Sequence, residues 1–200
     1  MFTRKIIFVA FALLFLISCT NKKKEDLTKN LSKEISKKTT KQNYDKYYNA
    51  AITGNIETIK LLLDYDLDKV NLPNEDGQSF LMLAAFNGHT QLCEYIIKNG
   101  AHVEARDNSG RTALMYASTG PFAATVKMLL NNGANSNSVD HVEKWSALMN
   151  AAAEGQMEVV QILLEYGADK NLKDIDGDTA ESFALQKKHL EVFNFLKNRK

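Results

Sequence analysis

Two hundred residues with 44% hydrophobic and 9% aromatic content suit one or two soluble domains, and neither figure selects a fold class. Charge says more once it is divided: Thr20 to Asn43 holds eight Lys against three acidic residues, net +5, whereas the chain from Tyr44 onward carries 15 basic and 21 acidic residues, net −6. A net-acidic main region argues against a nucleic-acid-binding domain, because phosphate contacts need clustered Lys and Arg.

The chain opens with Arg4 and Lys5, continues through 12 apolar residues from Ile6 to Ile17, and reaches Ser18 and Cys19. Residues 1–18 therefore read as a secretory signal. At about 1.5 Å per residue the apolar run makes roughly 18 Å of helix, short of the ~30 Å hydrocarbon core, so it is not expected to persist as a membrane span. Leu16-Ile17-Ser18-Cys19, followed by an abrupt polar switch at Thr20, resembles the lipobox of bacterial lipoproteins. That resemblance implies loss of the leader, lipidation of the Cys19 thiol and acylation of its new amino group, each buried CH₂ adding about 0.8 kcal/mol of anchoring. The alternative is a leader cleaved nearby with Cys19 incidental. Residues 19–42 then form the lipidated Cys and a Lys-rich flexible tether, in which Leu27, Leu31 and Ile35 recur every four residues but are too few to bury a core. A short helix induced by a partner is the other reading of this stretch.

Beyond the tether one pattern repeats at a spacing of about 33 residues. A short polar or hydroxyl residue stands at one register, Asp45, Ser79, Thr112, Ser146 and Thr179, where its oxygen can accept from free backbone N–H groups; these five are expected to cap helices. Small residues follow at matched positions, including Ala84/Ala85, Ala117/Ser118 and Ala151/Ala152, which let neighbouring helices approach closely. After a polar turn come apolar runs such as Leu61-Leu62-Leu63, Tyr95-Ile96-Ile97, Met128-Leu129-Leu130 and Ile162-Leu163-Leu164, the bulk of the predicted core. Gly100, Gly133 and Gly167 are placed to close three of these second helices, and Asp66 stands at the equivalent place in the first copy. Cys93 falls where later copies have Val160 and Val192, so it reads as a small buried apolar residue.

Gly88-His89, Gly100-Ala101, Gly133-Ala134-Asn135 and Gly167-Ala168-Asp169 make the chain resemble an ankyrin repeat protein over residues 43–200. The implied fold class is all-α, an ankyrin-repeat solenoid of about five helix-turn-helix units with β-turn fingers, spanning approximately 43–76, 77–109, 110–143, 144–176 and 177–200. The family's usual Pro is replaced by Phe80, Ala113, Ala147 and Ala180, and its His by Met82, Met115 and Met149, with loss of the bonding that His provides. In the last copy Glu181 and Ser182 replace the Leu-Met pair, as expected of a terminal unit with a polar outer face.

No arrangement for catalysis is legible: the glycines fall at the structural period, and His89, His102, His141 and His189 lie apart with no metal-ligand spacing. Asp174, Asp176 and Asp178 around Gly177 invite a calcium reading, but Leu172 would occupy the first ligand position of an EF-hand loop, and an ordinary turn fits better. The chain is therefore expected to be no enzyme, to carry no cofactor and no metal, and to bind no nucleic acid.

The resemblance implies that a protein partner uses the concave side, built from the fingers and the exposed side of the first helices. Two residues there are out of character: Trp145, the only Trp, stands where other copies have Gln78, Arg111 and Asp178, and Phe86 stands where they have Thr119, Ala153 and Gln186. With Gln78, Asn87, Arg111, Glu143, Glu154 and Asp178 they make up the eight expected docking residues. The competing reading of Trp145 is that it covers its own irregular finger, Asp140 to Lys144, which has an inserted residue and no Gly. The whole chain then reads as a monomeric, membrane-anchored lipoprotein of the bacterial cell envelope, a non-catalytic scaffold or inhibitor. Its alternative is a secreted ankyrin effector that binds foreign or host proteins.

Overall fold

A computed structural model describes residues 44–65 and 67–199. The expected leader, lipidated Cys19, tether and Asp66 all lie outside the described residues. The chain divides into a unit of residues 1–45 and a second of residues 46–200, and the repeats belong to the second.

Among the described residues the secondary structure is helical, with one isolated antiparallel bridge, Val139 to Ser146. Helix α1 runs through residues 44–53 and α2 through Ile56–Tyr65, followed by a 3₁₀ turn at Leu67–Asn71. Four helical pairs come next: α3 (Phe80–Phe86) with α4 (Thr90–Lys98), α5 (Ala113–Ala117) with α6 (Ala123–Asn131), α7 (Ala147–Ala153) with α8 (Met157–Glu165), and α9 (Ala180–Gln186) with α10 (Leu190–Asn198). Each pair packs internally. The first helices stack in the order α3, α5, α7, α9, and the second in the order α4, α6, α8, α10. This is the all-α ankyrin-repeat solenoid that the family resemblance implied.

Local chemistry explains where α3, α5, α7 and α9 start. Ser79, Thr112, Ser146 and Thr179 have extended backbone, and each side-chain oxygen accepts from the N–H three residues on. Asp45 breaks the series: the chain is already helical at residue 44, so Asp45 lies within α1 and is not its cap. The residues in place of His do more than fill space. Met82 and Met149 turn their sulfurs back to accept from the cap N–H groups of Ser79 and Ser146, both at 3.4 Å, and Ser182 does the same for Thr179 at 2.7 Å. Two capping boxes therefore use a thioether acceptor. Expected loss at those positions is partly made good within the repeat.

Burial follows the two stacks. Phe80, Leu81, Met82, Leu114, Met115, Leu148 and Met149 are fully buried between first helices. Leu92, Ile96, Leu129 and Leu163 are buried under the second helices; each such side chain contributes about 1.5–3 kcal/mol of transfer free energy. Small residues Ala85, Ser118 and Ala152 are wholly covered by the next unit, as the close approach requires. Their counterpart in the last unit, Leu185, is exposed, and so is Leu190. The outer face of that unit is thus less polar than Glu181 and Ser182 suggested, because a large apolar side chain occupies a position that earlier units cover.

Polar stitches join the units at one recurring register. Asn71 accepts from His102 N and donates to Gly100 O; Glu104 accepts from Asn135 N; Asn137 accepts from Asp169 N and donates to Gly167 O. Lys170 closes the series as a donor, to Leu196 O and Arg199 O near the C-terminal end of α10, where a cation suits the helix dipole.

Candidate protein-docking face

Fingers precede each cap, and one side-chain oxygen shapes each of them. Asn74 accepts from Asp76 N and Gln78 N, Asp107 from Ser109 N and Arg111 N, and Asp174 from Asp176 N and Asp178 N. These are self-bonded turns. Asp174 Oδ1 is thereby committed to two backbone donors, which supports the turn reading of the Asp174–Asp178 cluster. The irregular finger uses the same device with one more bond: buried Asp140 accepts from Val142, Glu143 and Lys144 N–H groups at 2.8–3.1 Å. Lys144 takes φ +59° where the other fingers have glycine, a conformation that costs a non-glycine residue about 1–2 kcal/mol. Three of those donors on one carboxylate hold it there.

Backbone bonds run from finger to finger. Asn108 N donates to Asp76 O, His141 N to Ser109 O, and Ile175 N to Glu143 O, at 2.8–3.1 Å. The four fingers therefore present one continuous edge beside α3, α5, α7 and α9, with their tips fixed relative to one another.

On this face Phe86 is 49% exposed at the end of α3 and meets Tyr116 of α5 edge-on, ring centroids 5.8 Å apart. Gln78 Nε2 donates to Tyr116 Oη at 2.9 Å, and Tyr116 Oη donates to Asp107 Oδ2 at 2.6 Å. The Arg111 guanidinium stands 5.7 Å over the same ring. Three expected docking residues, Phe86, Gln78 and Arg111, thus converge on one tyrosine that the sequence reading did not single out. Burial, and next the hydrogen bond to Asp107, pushes the Tyr116 phenol above its ordinary value. It remains a neutral phenol that orients its neighbours.

The Trp145 ring reaches forward to the next unit: its centroid lies 4.3 Å from that of buried Phe183 in α9, and Trp145 is half-buried. The relation repeats that of Gln78 and Tyr116, a residue just before one cap touching a residue four past the next. Asn87 does not join either cluster, because its amide donates to Leu83 O and closes its own helix. Asp178 is half-buried in its turn, whereas Glu143 and Glu154 are exposed. No single pocket gathers all eight residues; they line a strip.

Other features read as structure. His89 Nε2 bonds Ile52 O at 2.8 Å and joins the first two units. Cys93 is buried, and burial pushes its thiol up to about 12, too high for a reactive thiolate at neutral pH. An open groove runs between α2, α4 and α6, lined by Ile56, Lys60, Glu94, Tyr95 and Lys127. Its Lys60 is paired with Glu57 at 2.8 Å.

Comparison with known proteins agrees with this geometry. The family description "Ankyrin repeats (3 copies)" matches residues 15–107, 47–140 and 120–200. The chain is 26% identical over 144 residues to a putative ankyrin repeat protein, L371, of Acanthamoeba polyphaga mimivirus, covering 72% of this chain and 19% of that one. A probable 26S proteasome regulatory subunit, p28, of Saccharomyces cerevisiae is 28% identical over 149 residues, 74% of this chain and 65% of that one. An ankyrin repeat and SAM domain-containing protein 6 of Danio rerio is 32% identical over 145 residues, 61% of this chain and 20% of that one. The chain spans about a fifth of the viral and fish relatives and just under two thirds of the yeast one.

Proposed function

The chain belongs to the ankyrin repeat family, and from that premise we propose a membrane-anchored, non-catalytic binding module of the bacterial cell envelope, acting as a scaffold or an inhibitor of one protein partner. Its repeats constitute a protein–protein interaction module. What favours the finger face as the binding surface is Phe86: an aromatic side chain half in solvent, held upright against Tyr116 beside the Arg111 guanidinium, at a register where other units have Thr119, Ala153 and Gln186. Aromatic and Arg side chains dominate interface energetics, and holding them rigid before binding lowers the ordering cost. Envelope anchoring is supported by the Leu16–Cys19 motif and the apolar run before it. The protein acts as a monomer in this reading, and family membership supplies its mode of binding without naming the ligand.

Two experiments test the reading. Crosslinking and affinity capture from the native envelope, with the full chain as bait beside Phe86→Ala/Trp145→Ala, should enrich a protein that the double variant loses while keeping its helical content. Equal recovery by both baits would move the interface elsewhere. Labelling with radioactive palmitate should mark the parent and leave Cys19→Ala unlabelled; an unlabelled parent released into the medium would contradict anchoring.

A further inference from the structure

The dipeptide Asn-Gly occurs three times in the chain, at Asn87-Gly88, Asn99-Gly100 and Asn132-Gly133. Such a pair deamidates readily, because glycine has no side chain to keep its backbone nitrogen away from the preceding amide carbon. All three close a helix in the same way. Asn87, Asn99 and Asn132 donate from Nδ2 to the carbonyl four residues back at 2.8–2.9 Å, and Gly88, Gly100 and Gly133 donate from N to the carbonyl three residues back at 3.0–3.1 Å. Local bonding therefore does not separate them, whereas contacts with the neighbouring units do. Gly88 is pinned by the Phe122 ring, which would lie 2.2 Å from a Cβ at that position, while nothing lies within 4 Å of a Cβ at Gly100 or Gly133. Gly100 is tied instead through its carbonyl, which accepts from Asn71 Nδ2 of the preceding unit at 3.0 Å, as Gly167 O does from Asn137 Nδ2. Between those two amides the same register holds Glu104, a carboxylate that accepts from Asn135 N and has no N–H to give. Gly133 O is thus left without the tie, and Asn132 and Gly133 are both exposed.

We propose that Asn132 is a modification site of the folded chain, converted without an enzyme to aspartate and isoaspartate. Fraying of the last turn of α6 frees Gly133 N from Leu130 O and Asn132 Nδ2 from Met128 O. Gly133 N, its proton passed to water or hydroxide, bonds to Asn132 Cγ, and Nδ2 leaves as ammonia, which closes a succinimide ring. Water then opens the ring at either carbonyl, giving aspartate or, with the backbone rerouted through Cβ, isoaspartate. No atom changes oxidation state overall. The new carboxylate stands just past the C-terminal end of α6, where the helix dipole disfavours it, and close in sequence to the stitch from Asn135 N to Glu104. Conversion therefore loosens the junction between the second and third units.

The full chain is incubated folded, and in parallel unfolded in urea, in a mildly alkaline buffer, and each Asn-Gly pair is followed by peptide mapping with mass spectrometry. In the folded chain Asn132 should convert on the order of tenfold faster than Asn87, with Asn99 between them, because the three sites differ in how easily they open. In urea the three should convert at comparable rates. Glu104→Asn places at that register the residue of the neighbouring units, and should slow Asn132 severalfold while leaving Asn87 unchanged. Phe122→Ala should bring Asn87 towards the rate of Asn132. Helical circular dichroism matching the parent shows that both variants are folded. The proposal is overturned by Asn87 or Asn99 converting as fast as Asn132 in the folded chain, or by an Asn132 that stays intact while the urea sample converts. It is equally overturned if Glu104→Asn fails to slow Asn132, or if Asn87 stays slow in Phe122→Ala.

Discussion

Gly88→Ala is the sharpest probe of how the units lock together. Gly88 has φ +70°, and a methyl built on it would lie 2.2 Å from Cδ1 of Phe122, far inside van der Waals contact. The same phenyl ring also lies close against Gly120, where a Cβ would come within 2.3 Å of it. Gly133 supplies the control: φ is +89° and nothing lies within 4 Å of a Cβ there. Gly133→Ala therefore carries backbone strain alone, about 1–2 kcal/mol. Gly88→Ala adds overpacking of about 1–3 kcal/mol, for a total of about 2–5 kcal/mol. Urea unfolding followed by Trp145 emission and by helical circular dichroism measures both, and coincidence of the two probes establishes that a single transition is being compared. In Gly88→Ala/Phe122→Ala the clash is gone, so the alanine at 88 should cost no more on that background than at 133. If Gly88→Ala is no more destabilising than Gly133→Ala, the argument that Phe122 packs tightly against the preceding unit is wrong.

Glu104→Ala should cost about 1–3 kcal/mol in the same assay, because Asn135 N and Ser138 Oγ lose a charged acceptor; Glu104→Gln should cost less. Tyr116→Phe should cost about 1–2 kcal/mol at neutral pH by freeing Gln78 and Asp107. Because the folded phenol titrates above its ordinary value of 10.0, its stabilising contribution is complete below that pH and is lost as pH rises through the folded value. Alkaline stability curves of parent and Tyr116→Phe should therefore converge there; a constant gap would contradict the phenol's part in it. Cys93, buried and with its thiol pushed up to about 12, should resist a soluble thiol reagent at pH 8 and react once urea unfolds the chain. Rapid reaction of the folded protein would mean that α4 opens easily.

What was legible in the sequence was whatever repeats in residue type. Ser79, Thr112, Ser146 and Thr179 share a short side-chain acceptor, so their caps could be read directly. Asp45 shares the chemistry without the geometry, since α1 is already under way at residue 44. The stitches at Asn71, Glu104, Asn137 and Lys170 were hidden because geometry recurs there while residue type does not: two amides, a carboxylate and an ammonium each bridge to the next unit. Tyr116 was hidden for a similar reason. Its register holds Leu83, Asn150 and Phe183 elsewhere, a mixture that signals neither core nor surface. Trp145 and Phe86 stood out as misfits to the period, but their aromatic neighbours, Phe183 and Tyr116, belong to the following unit and become visible only once the units are stacked.

The central claim is that a protein partner engages the finger face. A photoreactive benzoyl-phenylalanine placed in vivo at Phe86, and separately at Leu61, which is 64% exposed on α2, tests it most directly. The account predicts a discrete crosslinked protein from position 86 and none from position 61. A crosslink confined to position 61 would contradict it and move the partner to the outer helices.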